Sequence, residues 1–166
     1  MTLIHIGSLW VPLLVGAPNL ASVFFPPRNV PKAQARPVRA TRVLTVVERA
    51  GQAGVFVLPF LAETRFDGGP ATTAALAVMA VALALYYGGW LRFFAGGRAY
   101  ALYFASMLGL PMPMAIAPLV YFFAAGALLR SPLLAAAAVV LAVGHIPISA
   151  GEKRRLERLA ADDPAS

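Results

Sequence analysis

TRVLTVVERAGQAGVFVLPFLA, residues 41–62, is apolar for long enough to cross a bilayer, yet it holds Glu48, Arg49 and Gln52. At about 1.5 Å of rise per residue, some twenty apolar residues traverse a hydrocarbon core of roughly 30 Å, and a polar group inside it needs a partner or a function. Glu48 and Gln52 are four positions apart and share one helical face, whereas Arg49 lies one position round and points elsewhere. Glu48 is therefore the first candidate for chemistry. Arg49, this near the interface, can instead reach lipid phosphates.

Outward from this stretch the composition is of one kind. With 60% hydrophobic residues, 13% charged and a mean hydropathy of +0.73, a 166-residue chain has too little polar surface to cover a soluble domain. The expectation is an all-α, polytopic membrane helix bundle, a single unit over residues 1–150 followed by a basic, then acidic cytoplasmic tail over 151–166. The formal charge of +7 invites a nucleic-acid partner, but the cations stand in short runs beside apolar stretches, which is a topology signal. Nucleic acid is excluded on that ground. The absence of cysteine excludes disulfides, thiolate metal sites and cysteine nucleophiles.

Five spans are expected. The first, residues 3–25, carries His5 at its outer end and is kinked at Pro12 and at Pro18-Asn19; without a charged leader region or a small-residue cleavage site it reads as a retained span. The others are 41–62, 71–94, 112–129 and 132–149, the last with His145 near its end. Residues 99–110 are too short to cross and read as an interfacial helix or the lower part of a broken span before the fourth. The proline-rich loop PPRNVPKAQARPVRA, residues 26–40, lays Arg28, Lys32, Arg36 and Arg39 against anionic lipid. With the N-terminus outside and the C-terminus cytoplasmic, eleven of the fourteen Lys and Arg fall on inner segments, Arg65 and Arg130 fall on outer loops, and Arg49 is within a span.

That topology brings Asn19, Glu48, Tyr86, Trp90 and His145 within roughly 5 to 15 Å of the cytoplasmic interface, and Tyr121 with the Pro118 kink is expected to roof the same space. Tyr86, Trp90 and Phe93 or Phe94 recur on one face, and Gly88-Gly89 admits a close neighbour. A plain structural reading stands beside each: Glu48 hydrogen-bonded to Gln52 or neutralised by Arg49 or His145, His145 as a packing residue, the aromatics as an interfacial belt.

Together these residue types suit proton chemistry on an apolar molecule. Low dielectric disfavours an ionised carboxyl, so an acid there can serve as a proton donor. Aromatic faces stabilise a developing cation, and a dry pocket delays its quenching. In this reading Glu48 donates, Gln52 and Arg49 orient it, Tyr86, Trp90 and Tyr121 line the cation's path, Asn19 contacts substrate, and His145 or water takes the last proton. No metal or other cofactor is required. The chain has no DxDD acid cluster and no DDxxD or NSE magnesium motif, so it is unlike soluble terpene synthases.

The runs ERAGQ (48–52), YYGGWLRFFAGGR (86–98), GLPMPMAIAPLVYFF (109–123) and GHIPIS (144–149) resemble a widespread family of small bacterial membrane proteins. They are similar, further, to the compact bacterial membrane terpene cyclases of drimentine-type pathways, which cyclise a farnesylated indole diketopiperazine. The resemblance implies a proton-donating role for Glu48, a prenylated or otherwise apolar small-molecule substrate, and membrane lipid as the surroundings. Two other classes remain open: a proton-coupled carrier or channel, for which no inverted repeat is evident, and a structural membrane subunit in which Glu48 sets register. A homo-oligomer could supply what one chain lacks.

Overall fold

The computed structural model describes residues 6–31, 39–62 and 67–162. The expectations placed on His5, Lys32, Arg36 and Arg65 lie outside these residues. The fold is all-helical: α1 (Trp10–Phe24), α2 (Arg39–Val57), α3 (Pro70–Ala95), α4 (Pro113–Leu128) and α5 (Pro132–Ala161). Three helical stretches are long and apolar enough to cross a membrane: Thr41–Leu61, which is most of α2 plus the 3₁₀ turn Leu58–Leu61, then α3 and α5. α1 and α4, of 15 and 16 residues, are shorter; at 1.5 Å per residue they rise about 22 to 24 Å.

Proline sets the start of α3, α4 and α5 at Pro70, Pro113 and Pro132, where the missing N–H has no helical acceptor to lose. The Ser131 hydroxyl caps α5 by accepting from the Leu134 N–H at 3.3 Å. Two expectations are corrected here. Residues 99–110 form no interfacial helix; they hold one 3₁₀ turn, Tyr100–Tyr103, and then irregular chain. Leu108, Gly109 and Met112 adopt φ of 53°, 78° and 46°, which no helix continues, and Pro111 and Pro113 donate nothing. α5 does not stop near Ser149. It passes Pro147 and runs on to Ala161, so the basic tail extends the same helix, with Arg155 on Glu152 at 2.8 Å and Lys153 on Glu157 at 3.8 Å.

α2 packs along α5, α4 packs between α3 and α5, and α1 leans on α3 and α4. The α2–α5 seam is made of small residues: a Cβ added to Gly54 would come 2.7 Å from the Ala137 Cβ, and one added to Gly144 would come 2.5 Å from the Glu48 N. Gly126 lets α4 approach Ala135 of α5 in the same way, with 2.7 Å to its N. Small residues of this kind let apolar helices bring their backbones close together.

Connections that belong to one side meet. At one end Arg28 N–H donates to the Arg98 carbonyl (2.7 Å), Tyr100 N–H to the Arg28 carbonyl (3.0 Å), Arg92 Nη1 to the Ser106 carbonyl (2.7 Å) and Lys153 Nζ to Ser106 Oγ (3.2 Å). At the other, Ser8 Oγ donates to the Ala62 carbonyl at 2.5 Å, and Asp67 accepts from Thr72 Oγ1 (2.5 Å) and Gly69 N–H (3.1 Å) while pairing with Arg130. The Thr72 bond, the Gly69 bond and the Arg130 charge hold the Asp67 carboxyl below its ordinary pKa.

Candidate functional site

The site begins with a defect in α1. Pro18 has no N–H, so the Leu14 carbonyl four residues back loses its helical donor. The Tyr87 hydroxyl takes that place, donating to it at 2.7 Å. One residue along, the Val15 carbonyl accepts from Asn19 Nδ2 (2.9 Å) and from the Tyr86 hydroxyl (3.2 Å), and Asn19 Nδ2 also donates to the Tyr86 oxygen at 2.8 Å. Tyr87 thus mends the break in α1, and the tyrosine pair of α3 ties the two helices together.

Across from it, the Gly144 contact sets the chemistry. Because the Glu48 backbone lies against a residue without a side chain, α2 and α5 approach closely enough for the next residue, His145, to reach the Glu48 carboxyl. His145 Nδ1 and Glu48 Oε1 are 2.5 Å apart, with the two side chains about one-third and one-fifth exposed, at 33% and 22%. One contact joins the two groups, and the arrangement leaves Glu48 Oε2 and His145 Nε2 for other work.

Between these two walls is a cavity of about 270 Å³, at the lower edge of the roughly 300–1,000 Å³ common for small-ligand pockets. Six of the sequence-derived candidates line it together: Asn19, Glu48, Gln52, Tyr86, Trp90 and His145. Trp90 is held on several sides, edge-on to Tyr86 (6.2 Å), Phe93 (5.5 Å) and Tyr103 (5.5 Å) and stacked on Phe94 (5.7 Å). Its ring is therefore a fixed wall.

Two candidates lie elsewhere. Tyr121 is fully buried in the core between helices, its hydroxyl without a hydrogen-bond partner, and the cavity is lined instead by its neighbour Phe122. The reason is helical phase: α4 turns Met114, Pro118 and Phe122 inward at four-residue steps, and Tyr121 falls a quarter turn off that face. Arg49 is exposed on α2, outside the lining.

The lining also holds residues that the sequence reading passed over. Ser149 is buried on the inner face of α5, and the steps Leu141, His145, Ser149 carried the signal that would have found it. Tyr103, the last residue of the 3₁₀ turn, and Phe104, which follows it, also line the cavity; no periodicity marks them. Among the described residues no cluster of three or more His, Asp or Glu could hold a metal ion.

No protein-family model matches the chain, and neither a curated protein nor a solved structure is similar to it at significance.

Proposed function

We propose that this chain is an integral-membrane cyclase of prenyl chains, started by a proton from Glu48. The observation that carries the reading is the Glu48–His145 contact on the wall of a small cavity whose other sides are Tyr86, Trp90, Phe122 and Phe104. In this reading all five helices cross the bilayer, N-terminus outside and C-terminus cytoplasmic. The cations Arg28, Arg92, Arg98 and Lys153 gathered at one end support that orientation, and so does the resemblance described above.

The chemistry balances without a metal, an oxidant or a second substrate. The Glu48 carboxyl proton forms a new C–H bond at the terminal alkene, and a tertiary cation remains on the neighbouring carbon. An internal double bond closes on it to form a ring. A C–H bond next to the last cation then releases its proton to the Glu48–His145 pair and leaves an alkene, so the product is an isomer of the substrate. Aromatic faces around the cavity stabilise the intermediate cations. Gln52, on the Glu48 face one turn along, orients the acid.

The test is product analysis with purified protein in detergent, supplied with polyprenyl substrates that include a farnesylated indole. Glu48→Gln keeps size and hydrogen bonding but removes the acidic proton, and turnover is expected to fall by a factor of at least about 10². Wild-type-like turnover by that variant would sink the mechanism. Inactivity of the wild type toward every polyprenyl substrate, together with Glu48-dependent proton flux in vesicles, would favour the carrier.

A further inference from the structure

Among the described residues that line the cavity, only Asn19 on α1 and Gln52 on α2 are exposed, which places its mouth between those two helices. α1 and α2 meet near the opposite end, where the Phe56 ring lies against Gly16 and Ser8 bonds to Ala62. Toward the mouth α1 leans instead on α3, through the Tyr86 and Tyr87 hydroxyls and the Phe25–Phe94 edge contact at 6.4 Å. The opening therefore faces sideways, into the bilayer.

Its lip is charged. On α2 the residues that follow Glu48, Gln52 and Phe56 around the helix, on the side away from the α5 seam, are Arg49 and Arg42, two turns apart on one face. Both are exposed, and neither has a hydrogen-bond or ion-pair partner among the described residues. Arg49 is about 10 Å deeper than Arg42 at 1.5 Å per residue, so the pair runs from the interface down to the mouth. Among the described residues nothing neutralises them there. Of the chain's seven acids, Glu48 is held by His145, Asp67 is at the opposite end, and Glu152, Glu157 and Asp162 are on the extension of α5; Glu63 and Asp163 flank the α2–α3 turn and the C-terminus in sequence. An anion that comes with the bilayer or with the ligand fits the two arginines' place on the lip.

We propose that Arg42 and Arg49 form a phosphate-recognising lip, and that the cavity takes an amphiphile with an isoprenoid tail inside and a phosphate or diphosphate head on these two guanidiniums. Arg presents paired donors that match phosphate oxygens. The cavity volume of about 270 Å³ leaves no room for a bulky head beside the tail, so the head has to stay at the mouth. This rests on the cavity being a prenyl-chain site, and it narrows the substrate of the proposed reaction to a phosphorylated isoprenoid.

The experiment is equilibrium binding in phosphatidylcholine nanodiscs with two probes, farnesyl phosphate and farnesol. Wild type is expected to bind the phosphate at least about tenfold more tightly than the alcohol, the effect of one or two charge-assisted bonds. Arg42→Gln with Arg49→Gln should bring the two probes to equal affinity without changing that for farnesol, and Arg49→Lys should keep much of the difference. Glu48→Gln, which removes turnover under the proposed function, should leave the preference intact, so the two readings fail separately. With part of the phosphatidylcholine replaced by phosphatidylglycerol, persistence of the preference assigns the lip to the ligand. Its disappearance would assign the lip to bilayer phospholipid and overturn the proposal. Equal binding of both probes by wild type, binding of neither, or a preference that survives the double substitution would also overturn it. Should the double variant not fold, the Arg49→Gln single variant is read in the same way, with a partial loss expected and no loss counting against the lip.

Discussion

Gly144→Ala changes no chemical group at the site, yet it is expected to disable it. The added Cβ would stand 2.5 Å from the Glu48 N and 2.7 Å from its Cα and Cβ, where ordinary contacts are 3.4–4 Å. These are backbone atoms of a packed helix, so α2 has to move off α5 by about 1 Å, an overpacking that costs roughly 1–3 kcal/mol. The same displacement would stretch the His145 Nδ1 to Glu48 Oε1 separation from 2.5 Å to about 3.5 Å, beyond hydrogen-bond range. Two controls share the substitution without the clash. Gly151 has nothing within 4 Å of the added carbon, and Gly88 meets only the Met107 side chain at 3.5 Å. The assay is thermal unfolding in detergent together with the ¹⁵N signals of the imidazole in a His5→Gln background, which leaves His145 as the only histidine. Gly144→Ala should lower the unfolding midpoint and move the His145 signals toward those of an unpaired ring, while Gly151→Ala and Gly88→Ala do neither. An unshifted His145 spectrum with wild-type stability would refute the idea that close α2–α5 contact is what sets the pair.

Three other outcomes follow from the same structure. Tyr87→Phe should cost about 1 kcal/mol by leaving the Leu14 carbonyl without a donor, and most of that cost should vanish in a Pro18→Ala background, where the helix recovers its own N–H; additive effects in the four-variant cycle would contradict the repair. Asp67, held below its ordinary value of 3.8 first by Thr72, then by Gly69 and Arg130, stabilises the fold above the unfolded pKa and loses that contribution as pH falls through the folded one. The midpoint difference between wild type and Asp67→Asn should therefore be level from neutral pH down to about pH 5 and close below about pH 4, and a gap that widened with acid would be the wrong sign. Since the chain has no cysteine, single cysteines at Ser106 and Gly68 report topology directly: a membrane-impermeant thiol reagent should reach position 68 from outside intact cells and position 106 only after permeabilisation.

The sequence made the polar layer legible but not its wiring. Glu48 and Gln52 are visible as a four-residue pair inside an apolar stretch, and His145 as a lone polar residue at matching depth, so cation counting and helical rise were enough to bring them together. Choosing between Tyr121 and Phe122 requires the phase of α4 to within one residue, which a uniformly apolar helix conceals. The roles of Asn19, Tyr86 and Tyr87 were hidden for a different reason. Tyr87 answers the N–H missing at Pro18 on another helix, and Asn19 and Tyr86 meet over the Val15 carbonyl beside it, tertiary pairings that no local pattern records. Residues 99–110 looked helical by composition, whereas the left-handed backbone at Leu108, Gly109 and Met112 turned the segment into the cap that delivers Tyr103 and Phe104.

Solvent-deuterium labelling of a single turnover separates proton donation by Glu48 from any other start to the reaction. Protein equilibrated in D₂O and mixed with a limiting prenyl substrate should return a cyclised product carrying one deuterium on the carbon that was the terminal alkene, and Glu48→Gln should return unreacted, unlabelled substrate. A cyclised product without deuterium, or a labelled one from Glu48→Gln, would contradict proton donation by Glu48.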